Sequence, residues 1–352
     1  MKIIDAHTHI YNIKENFTPL YTLGKRLDYD MLTVLSLQSA GNLLQNLVCA
    51  LCKITHPGTT YAFGGFDYKT GRDLLSQAKN LRETGYDGIK MLEGKPTARK
   101  VLNIALNDPM YDECYSYLEE TGFPVLCHVA DPHEFWDKEK VPDWALERGW
   151  FYDESHVPYG QYYDDVESML HKHPKLRAIF AHFFFLSGNP DRAQKFLNDH
   201  PSVSIDLTAG VEMYEDFTKD PAFWREFFIK NQSRLIFGTD STDSSNLNDD
   251  GKVALNGYAG MEIEFLKYDK EIEIFGKKIR GIGLPENAQE RIFALNYQEF
   301  VGDKPLPMNI DLLIKEADFI RGYLKNDDDI EMLEYIIAQI SAGCSPCSCY
   351  RE

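Results

Sequence analysis

Short runs of β-forming residues alternate with helical stretches along this sequence, and this alternation restricts the fold more than any other feature. The eight predicted strands are Ile3–Ala6, Leu32–Leu37, Thr60–Phe66, Gly88–Leu92, Pro124–Val129, Ala178–His182, Val203–Leu207 and Leu235–Gly238. Helices are predicted between them at about 40–54, 71–84, 109–121, 161–173, 190–199 and 219–230. Eight alternations over roughly 240 residues predict an α/β fold, the (β/α)8 or TIM barrel.

The rest of the 352-residue chain is expected to complete this barrel and then to extend it. The eighth helix is predicted around 285–301, and further helices at about 309–342. No internal repeat and no low-complexity linker marks a second independently folding unit. We therefore predict a barrel domain at 1–305 and a helical C-terminal extension at 306–352 that packs on the barrel.

The charge balance argues against two classes of partner. The chain has 37 basic and 55 acidic side chains, and its formal net charge is −18. Nucleic acids and anionic membranes bind dense basic surfaces, and the sequence has no Lys/Arg-rich run. The N-terminal apolar run is broken at Asp5, and no apolar stretch approaches the roughly 20 residues that cross a bilayer. We expect a cytoplasmic protein with a small-molecule substrate, and the sequence leaves open whether it forms a homo-oligomer.

Two groups of cysteines have spacings that occur in redox or zinc motifs. Cys49 and Cys52 lie two residues apart in a helical pattern, whereas Cys344, Cys347 and Cys349 crowd the C-terminal tail. Neither group has the second ligand pair that makes such a motif specific. Reduced thiols are the default in a cytosolic chain, so the role of the C-terminal cluster stays open.

The stretch from Asp131 to Gly160 is long for a barrel loop and rich in aromatic residues. It carries Trp136, Trp144, Trp150, Phe151, Tyr152 and Tyr159. Because it follows a predicted strand, we expect it on the catalytic face of the barrel. An aromatic subunit interface explains the same composition, and both interpretations stay open.

The first predicted strand leads into two histidines that lie two residues apart. His7 and His9 point to the same side because side chains alternate along a strand. Neutral imidazole is a good ligand for zinc and similar divalent ions, but two histidines do not complete a site. Taken alone, such a pair more often represents histidines that bond to water or to the backbone.

Three more strands lead into side chains of ligand type. Apolar runs precede His128 and His182, and the run that begins at Leu235 leads to Asp240. A buried histidine or carboxylate requires a partner to offset its desolvation, and the ends of barrel strands converge on one place. One shared cation would satisfy all of these groups. Singly, the histidines are also explained as hydrogen-bonded core residues, and Asp240 as the cap of a turn or helix.

Together these motifs resemble the amidohydrolase superfamily, specifically its amidohydrolase-related branch, which includes aminocarboxymuconate-semialdehyde decarboxylase and aromatic-acid decarboxylases. The resemblance rests on Asp5-Ala6-His7-Thr8-His9, Gly88-Ile89-Lys90, His128, His182 and Phe237-Gly238-Thr239-Asp240. It covers roughly residues 1–301 and does not obviously include the C-terminal extension. The spaced set is specific, although no single piece of it is.

The resemblance implies a bound divalent metal ion, most often zinc, with manganese as the alternative. The implied ligands are His7, His9, His128 and Asp240. His182 is implied either as a catalytic residue beside the ion or as a ligand of a second metal. Lys90 corresponds to the lysine that becomes a bridging carbamate in two-metal relatives, or else it holds a substrate carboxylate. We favour an unmodified Lys90 and one metal.

The activity that the resemblance implies is hydrolysis of a small amide, ester or lactone by a metal-activated water. Asp240 would accept the proton of that water, and His182 would stabilise the developing negative charge. The alternative is a metal-dependent decarboxylase of an aromatic or unsaturated carboxylic acid, because the same ligands serve both reactions. A TatD-type deoxyribonuclease fits less well, since no glutamate precedes Thr239, and a silent binding module would not need the full set of ligands.

Overall fold

A ring of parallel strands forms the centre of the molecule in this computed structural model, which describes residues 1–11, 17–208, 210–242 and 257–342. The strands are β1 (Ile4–His9), β2 (Met31–Leu35), β3 (Thr60–Gly65), β4 (Gly88–Gly94), β5 (Val125–Val129), β6 (Ala178–Phe180), β7 (Val203–Asp206), β8 (Leu235–Ile236) and β9 (Ser241–Thr242). Each of the first eight pairs with its sequence neighbour, and β9 pairs with β1. The predicted TIM barrel is thereby confirmed.

The ring closes through the segment that joins β8 to β9. Leu235 and Ile236 pair with β7, whereas Ser241 and Thr242 pair with Thr8 and His9 of β1. Between them, the Ala6 backbone N–H donates to the Phe237 carbonyl at 3.1 Å, and the Asp240 N–H donates to the His7 carbonyl at 2.8 Å. This closure fixes Asp240 beside β1, which is what the candidate site requires.

An irregularity in β1 sets the direction of its histidines. The register between β1 and β2 shifts between Asp5 and Thr8. Ile4, before the shift, packs into the apolar cluster inside the barrel, and His7, within the shift, reaches Asp206 on strand β7. Such a bulge redirects side chains, so an inward apolar residue and an inward histidine follow each other closely on one strand.

Helices surround the ring. They differ from the predicted helices mainly because further helices are present. They are α1 (Thr18–Arg26), α2 (Gln45–Thr55), α3 (Leu74–Thr84), α4 (Pro96–Leu102), α5 (Asp112–Thr121), α6 (Asp143–Glu147), α7 (Tyr159–Lys172), α8 (Pro190–Asp199), α9 (Val211–Lys219), α10 (Pro221–Lys230), α11 (Tyr258–Lys267), α12 (Glu286–Glu290), α13 (Asn296–Val301), α14 (Ile310–Arg321) and α15 (Asp327–Ser341). A hairpin of β10 (Glu271–Ile274) and β11 (Lys277–Arg280) follows α11. The helix α1, which completes the first βα unit, was not predicted, and neither were α4, α6, α9, α11 and this hairpin, which are insertions into the repeating unit.

Two apolar layers hold the barrel together. The inner cluster includes Tyr61, Phe63, Leu126 and Ile179, and Tyr297 of α13 packs into it from the end opposite the histidines. The outer cluster joins the other face of each strand to the helices. Strands that are buried on both faces explain why the sequence shows continuous apolar runs instead of strict alternation.

The C-terminal helices α14 and α15 lie against the outside of the barrel. Leu313 and Ile320 of α14 and Ile336 of α15 are buried in the outer cluster. Arg72 donates to both carboxylate oxygens of Glu316. Cys49 and Cys52 are free, buried thiols on α2, whereas Cys344, Cys347 and Cys349 lie outside the described residues. Among the described helices, none has the length and apolar character needed to cross a bilayer.

Residues 131–158, which we call the aromatic cap, form a small cluster of their own above β5. Phe135, Val141, Ala145 and Tyr152 are its buried members. Short helical turns at His133–Trp136 and α6 build the segment. The cap stands at the C-terminal ends of the strands, on the face where the histidines lie.

Candidate metal centre and active site

Three ligand-type side chains converge at the open end of the barrel. His7 and His9 come from the end of β1, and Asp240 comes from the segment between β8 and β9. The Asp240 Oδ1 atom lies 3.5 Å from His7 Nε2 and 3.1 Å from His9 Nε2. One ligand atom of each residue lies within 4.8 Å of the other two. The side chain of Asp240 is 40% exposed, so the group faces the barrel mouth.

The other ring nitrogen of each histidine determines which nitrogen is free to bind. His7 Nδ1 lies 2.8 Å from Asp206 Oδ2, and His9 Nδ1 lies 2.9 Å from the Leu35 carbonyl oxygen. Oxygen acceptors of this kind require a donor, so each Nδ1 carries a proton, and in the neutral ring each Nε2 then offers its lone pair. Two nitrogen lone pairs and a carboxylate oxygen therefore face one another.

Such a group of acceptors is favourable only with a positive charge among them. Burial lowers the pKa of His7 to about 3, and the nearby Lys90 ammonium acts in the same direction. The pKa of Asp240 is also lowered, because its contacts with His9 and His7 outweigh the opposing effect of burial. Neutral imidazoles and an ionised carboxylate are what zinc and manganese bind. The residues therefore fit a divalent metal ion.

His128 and His182 lie beside this group but are engaged with each other. His182 Nε2 lies 3.1 Å from His128 Nδ1, and His128 Nε2 lies 3.1 Å from Asp131 Oδ1. The remaining nitrogen, His182 Nδ1, lies 3.3 Å from the Thr208 carbonyl oxygen. The structure does not bring His128 into the group of His7, His9 and Asp240.

The number of ring protons on His128 and His182 shows what this histidine pair is suited to do. Three hydrogen bonds link the Asp131 carboxylate, the two rings and the Thr208 carbonyl, and both ends of this chain are acceptors. Two neutral imidazoles bring two protons, whereas three bonds require three. Burial lowers the pKa of His128 to about 3 and also lowers that of His182, so the neutral forms prevail in the resting site. The pair thus has a place for one further proton.

Lys90 is a buried cation next to the metal-type group. Its side chain is 1% exposed, and Nζ donates to His7 Nε2 at 3.2 Å. Among the described residues, no carboxylate forms an ion pair with it. Burial lowers the pKa of Lys90 to about 8. The charges of Asp240 and Asp206 partly offset this burial from beyond ion-pair distance, and a direct anionic partner would offset it further.

The backbone that carries His182 has an unusual conformation. His182, Phe183, Phe184 and Phe185 all have positive φ angles, between 50° and 58°. Left-handed φ values are unfavourable for residues with a Cβ, by about 1–2 kcal/mol each. Aromatic packing holds the turn: Phe183 contacts Trp224 and Phe227, and Phe185 stacks on the His182 ring at 5.2 Å. The predicted strand through His182 accordingly ends at Phe180.

Asp206 is a site residue that the sequence prediction missed. It is fully buried at the end of β7, where Oδ2 faces His7 Nδ1 and Oδ1 accepts from the His182 backbone N–H at 2.8 Å. One carboxylate thus positions both histidines. The signal was present, because Val203-Ser204-Ile205-Asp206 has the same layout as the strands that lead to His128 and His182.

A cavity of about 120 Å³ leads to the histidine pair from the cap side. His182 and Phe185 line its inner end, and Glu134, Glu212 and Asp216 are among the residues that line the rest. A larger cavity of about 330 Å³ adjoins Tyr21 and His56. That cavity lies at the N-terminal ends of β2 and β3, away from the histidines, and we do not assign it to the active site.

The comparisons with known proteins identify a family and a fold. A family profile described as amidohydrolase matches residues 4–296. No curated protein sequence matches the chain. Solved structures with the same fold include 4-oxalomesaconate hydratase from Rhodopseudomonas palustris, with 12% identity and a TM-score of 0.53 over 91% of this chain and 99% of that chain.

Two decarboxylases are also similar in structure. The 2,6-dihydroxybenzoate decarboxylase from Rhizobium has 10% identity and a TM-score of 0.51, over 86% of this chain and 98% of that chain. The dihydroxybenzoic acid decarboxylase from Polaromonas sp. JS666 has 11% identity and a TM-score of 0.50, over 85% of this chain and 96% of that chain. That structure contains manganese and the inhibitor 2-nitroresorcinol. At this level of identity, the likeness concerns the fold.

Proposed function

The chain belongs to the amidohydrolase family, and from this premise we propose that it is a metal-dependent decarboxylase of a small aromatic or unsaturated carboxylic acid. The observation that carries the proposal is the convergence of His7 Nε2, His9 Nε2 and Asp240 Oδ1, with the buried Lys90 ammonium beside them. This arrangement offers a metal ion and a cation to one anionic substrate group. The decarboxylases among the similar structures, one of them with manganese, support the same choice.

In this proposal His7, His9 and Asp240 hold one divalent ion, zinc or manganese. The ion supplies Lewis-acid catalysis when bound, because it draws electron density from the oxygens of a substrate. His128 is left out of the ligand set, since its two nitrogens face Asp131 and His182. Asp206 holds the ligand nitrogen of His7 in its neutral, Nδ1-protonated form, as such outer carboxylates do.

The chain's own residues then bind the acid and move one proton. Lys90 Nζ pairs with the substrate carboxylate, which adds a direct ion pair to the more distant charges of Asp240 and Asp206. The bond between the carboxylate carbon and the adjacent carbon breaks, carbon dioxide leaves, and the electron pair stays on the adjacent carbon. The His182–His128 pair takes one proton from solvent before this step, gives it to that carbon and returns to its neutral form.

Hydrolysis of an amide, ester or lactone is the second candidate function. The observation in its favour is the exposed, ionised Asp240 carboxylate at the barrel mouth, where it has room to take a proton from a water molecule. The same residues would hold the ion in both reactions. Only the bond that breaks distinguishes them.

A substrate screen with two separate readouts tests the choice. Zinc-loaded and manganese-loaded protein is incubated with hydroxybenzoic acids and unsaturated dicarboxylic acids, and in parallel with amides, esters and lactones. We expect carbon dioxide release in proportion to the decarboxylated product, and none from Asp240→Asn. Cleavage of an amide, ester or lactone without carbon dioxide release would overturn the decarboxylase and favour the hydrolase.

A further inference from the structure

A cavity of about 330 Å³ lies at the end of the barrel opposite the candidate metal centre, between α1, the end of α2 and the beginnings of β2 and β3. Its lining residues are Tyr21, Gly24, Lys25, Tyr29, Asp30, Met31, Leu32, His56 and Thr59. Ligand pockets in proteins have volumes from about 300 Å³ upwards, and apolar and aromatic side chains line them together with a few polar groups. This cavity has both properties, and the proposed reaction does not use it.

Three aromatic side chains form walls of this cavity, and contacts outside it hold them in place. The rings of Tyr21 and His56 stack with their centroids 3.6 Å apart, and the Tyr21 hydroxyl shares a hydrogen bond with Thr60 Oγ1. The ring of Tyr29 meets that of Phe237 edge-on, with 6.0 Å between the centroids. Because these rings are fixed without a ligand, little conformational freedom remains to be lost when one binds.

Gly24 keeps the cavity open on the side of α1. It lies inside this helix, where glycine is less favourable than any other residue except proline. Its φ angle lies outside the left-handed region, and the nearest atoms that a Cβ there would meet belong to Tyr29, at ordinary contact distances of 3.4 Å and more. Neither the backbone conformation nor close packing therefore requires a glycine. A larger side chain would instead reduce the cavity, because position 24 lines it.

Two charged side chains at this cavity indicate the charge of its ligand. Asp30 Oδ2 accepts a hydrogen bond from the Ile3 backbone N–H at 2.7 Å, so this carboxylate already binds the chain itself. Lys25 lines the same cavity, and no carboxylate of the described part of the chain forms an ion pair with it. The Lys25 ammonium is thus available to a ligand, and a carboxylate is a favourable partner for it.

We propose that this cavity is a second binding site, which takes a small planar aromatic carboxylic acid. The aromatic ring lies between Tyr29 and the Tyr21–His56 pair, and the carboxylate pairs with Lys25. The site lies at the other end of the barrel from the candidate metal centre. The inference therefore goes beyond the proposed function, and it holds whether the enzyme decarboxylates or hydrolyses its substrate.

A titration of the zinc-loaded protein with benzoate, followed by NMR of labelled histidine, tests the proposal. The His56 signals are identified by their loss in His56→Gln. We expect benzoate to shift them until the site is saturated. Benzamide has the same ring without the charge, and its affinity should be lower by up to about fivefold, the usual effect of one exposed ion pair. Shifts confined to the histidines of the barrel mouth, or no saturable shift of His56, would overturn the proposal.

Two variants, each with a matched control, locate the bound acid. Gly24→Leu should lower the benzoate affinity measured at His56 by roughly tenfold or more, because the added side chain occupies the volume that the ring needs. Gly160→Leu is its control, since Gly160 also lies in a helix and a Cβ there meets open space. Lys25→Met should lower the benzoate affinity to that of benzamide. Lys90→Met should leave it unchanged, because Lys90 lies beside the candidate metal centre.

The outcomes do not depend on turnover, so they separate this proposal from the proposed function. Leucine favours a helix more than glycine does, and α1 should therefore stay folded in Gly24→Leu. If that variant does not fold, Lys25→Met and the comparison of benzoate with benzamide still decide. Equal benzoate affinities of Gly24→Leu and Gly160→Leu would place the acid outside the cavity and overturn the proposal. Equal affinities of the wild type for benzoate and benzamide would overturn the pairing of the carboxylate with Lys25.

Discussion

The barrel mouth has two sides, and the histidines on each side serve a different purpose. On the side of β1 and β8, His7 and His9 each turn one nitrogen to an oxygen acceptor and the other towards Asp240. On the side of β5 and β6, both nitrogens of His128 and His182 face a partner. Whether a histidine is suited to bind a metal or to hold a proton therefore depends on the partner of its second ring nitrogen.

This difference predicts where substitutions act. Changes on the β1 side should remove the metal ion and turnover together. Changes on the β5 side should leave the ion in place and affect turnover or its dependence on pH. The predictions that follow examine this division, beginning with the largest expected effect.

Asp240→Asn should have the largest effect. The amide cannot supply the negative charge that offsets the ion, so we expect turnover to fall on the order of 1,000-fold or more. The fold should persist, because the side chain is 40% exposed and contributes little to the core. Turnover assays together with thermal unfolding measure both. Turnover near the wild-type value would remove Asp240 from the chemistry.

Asp206→Asn should have the next largest effect, through His7. Without the carboxylate, His7 Nδ1 loses the acceptor that holds the ring in its metal-binding form, and we expect metal affinity to fall by up to about 100-fold. Asp165→Asn is the control, since Asp165 is a buried carboxylate that bonds to Gln161 instead. Competition with a chelator gives the affinities. Equal losses in both variants would show a general effect of removing buried charge.

Lys90→Met should weaken substrate binding without loss of the ion. A hydrogen bond between charged groups contributes about 2 kcal/mol, so we expect KM to rise roughly 30-fold. The ion should bind at least as tightly as in the wild type, because a neighbouring positive charge is removed. Kinetics and metal analysis of the same sample measure both quantities. Loss of a second metal ion in Lys90→Met would instead favour a carbamylated lysine.

Lys90 also limits activity at high pH, whereas the residues on the β5 side do not. Burial lowers its pKa to about 8, so the ammonium is present below that pH and is lost above it. We expect kcat/KM to fall about tenfold for each pH unit above 8. Lys90→Arg keeps its charge, and its profile should extend to higher pH. A wild-type profile that stays level above pH 8 would contradict a role for this cation in binding the substrate.

The sequence was sufficient to predict the barrel and most of the site. The eight apolar runs became strands β1 to β8, and the family resemblance was confirmed by a match over residues 4–296. His7, His9 and Asp240 were predictable because strand ends converge in a barrel. Their role as metal ligands stays a prediction, and the ligand role that the family resemblance implies for His128, equally untested, is the one that our proposal leaves out.

Other parts of the site were not predictable from local patterns. Asp131 resembles an ordinary acidic residue until the fold places a histidine nitrogen beside it, and Asp206, although it follows an apolar strand, shows its partner His7 only in the fold. The left-handed turn at residues 182–185 contradicts the preference of phenylalanine, and only the aromatic packing around Phe183 and Phe185 explains it. Long-range contacts, which a single sequence does not reveal, determine these features.

The metal content of the wild type and two variants tests most directly whether only the β1 side of the barrel mouth binds the ion. Wild-type protein, His9→Gln and His128→Gln are loaded with zinc or manganese, freed of excess metal and analysed for bound ions. We predict about one ion per chain in the wild type and in His128→Gln, and far less in His9→Gln. A loss of metal in His128→Gln as complete as in His9→Gln would contradict the account, because it would place both sides of the mouth around one ion.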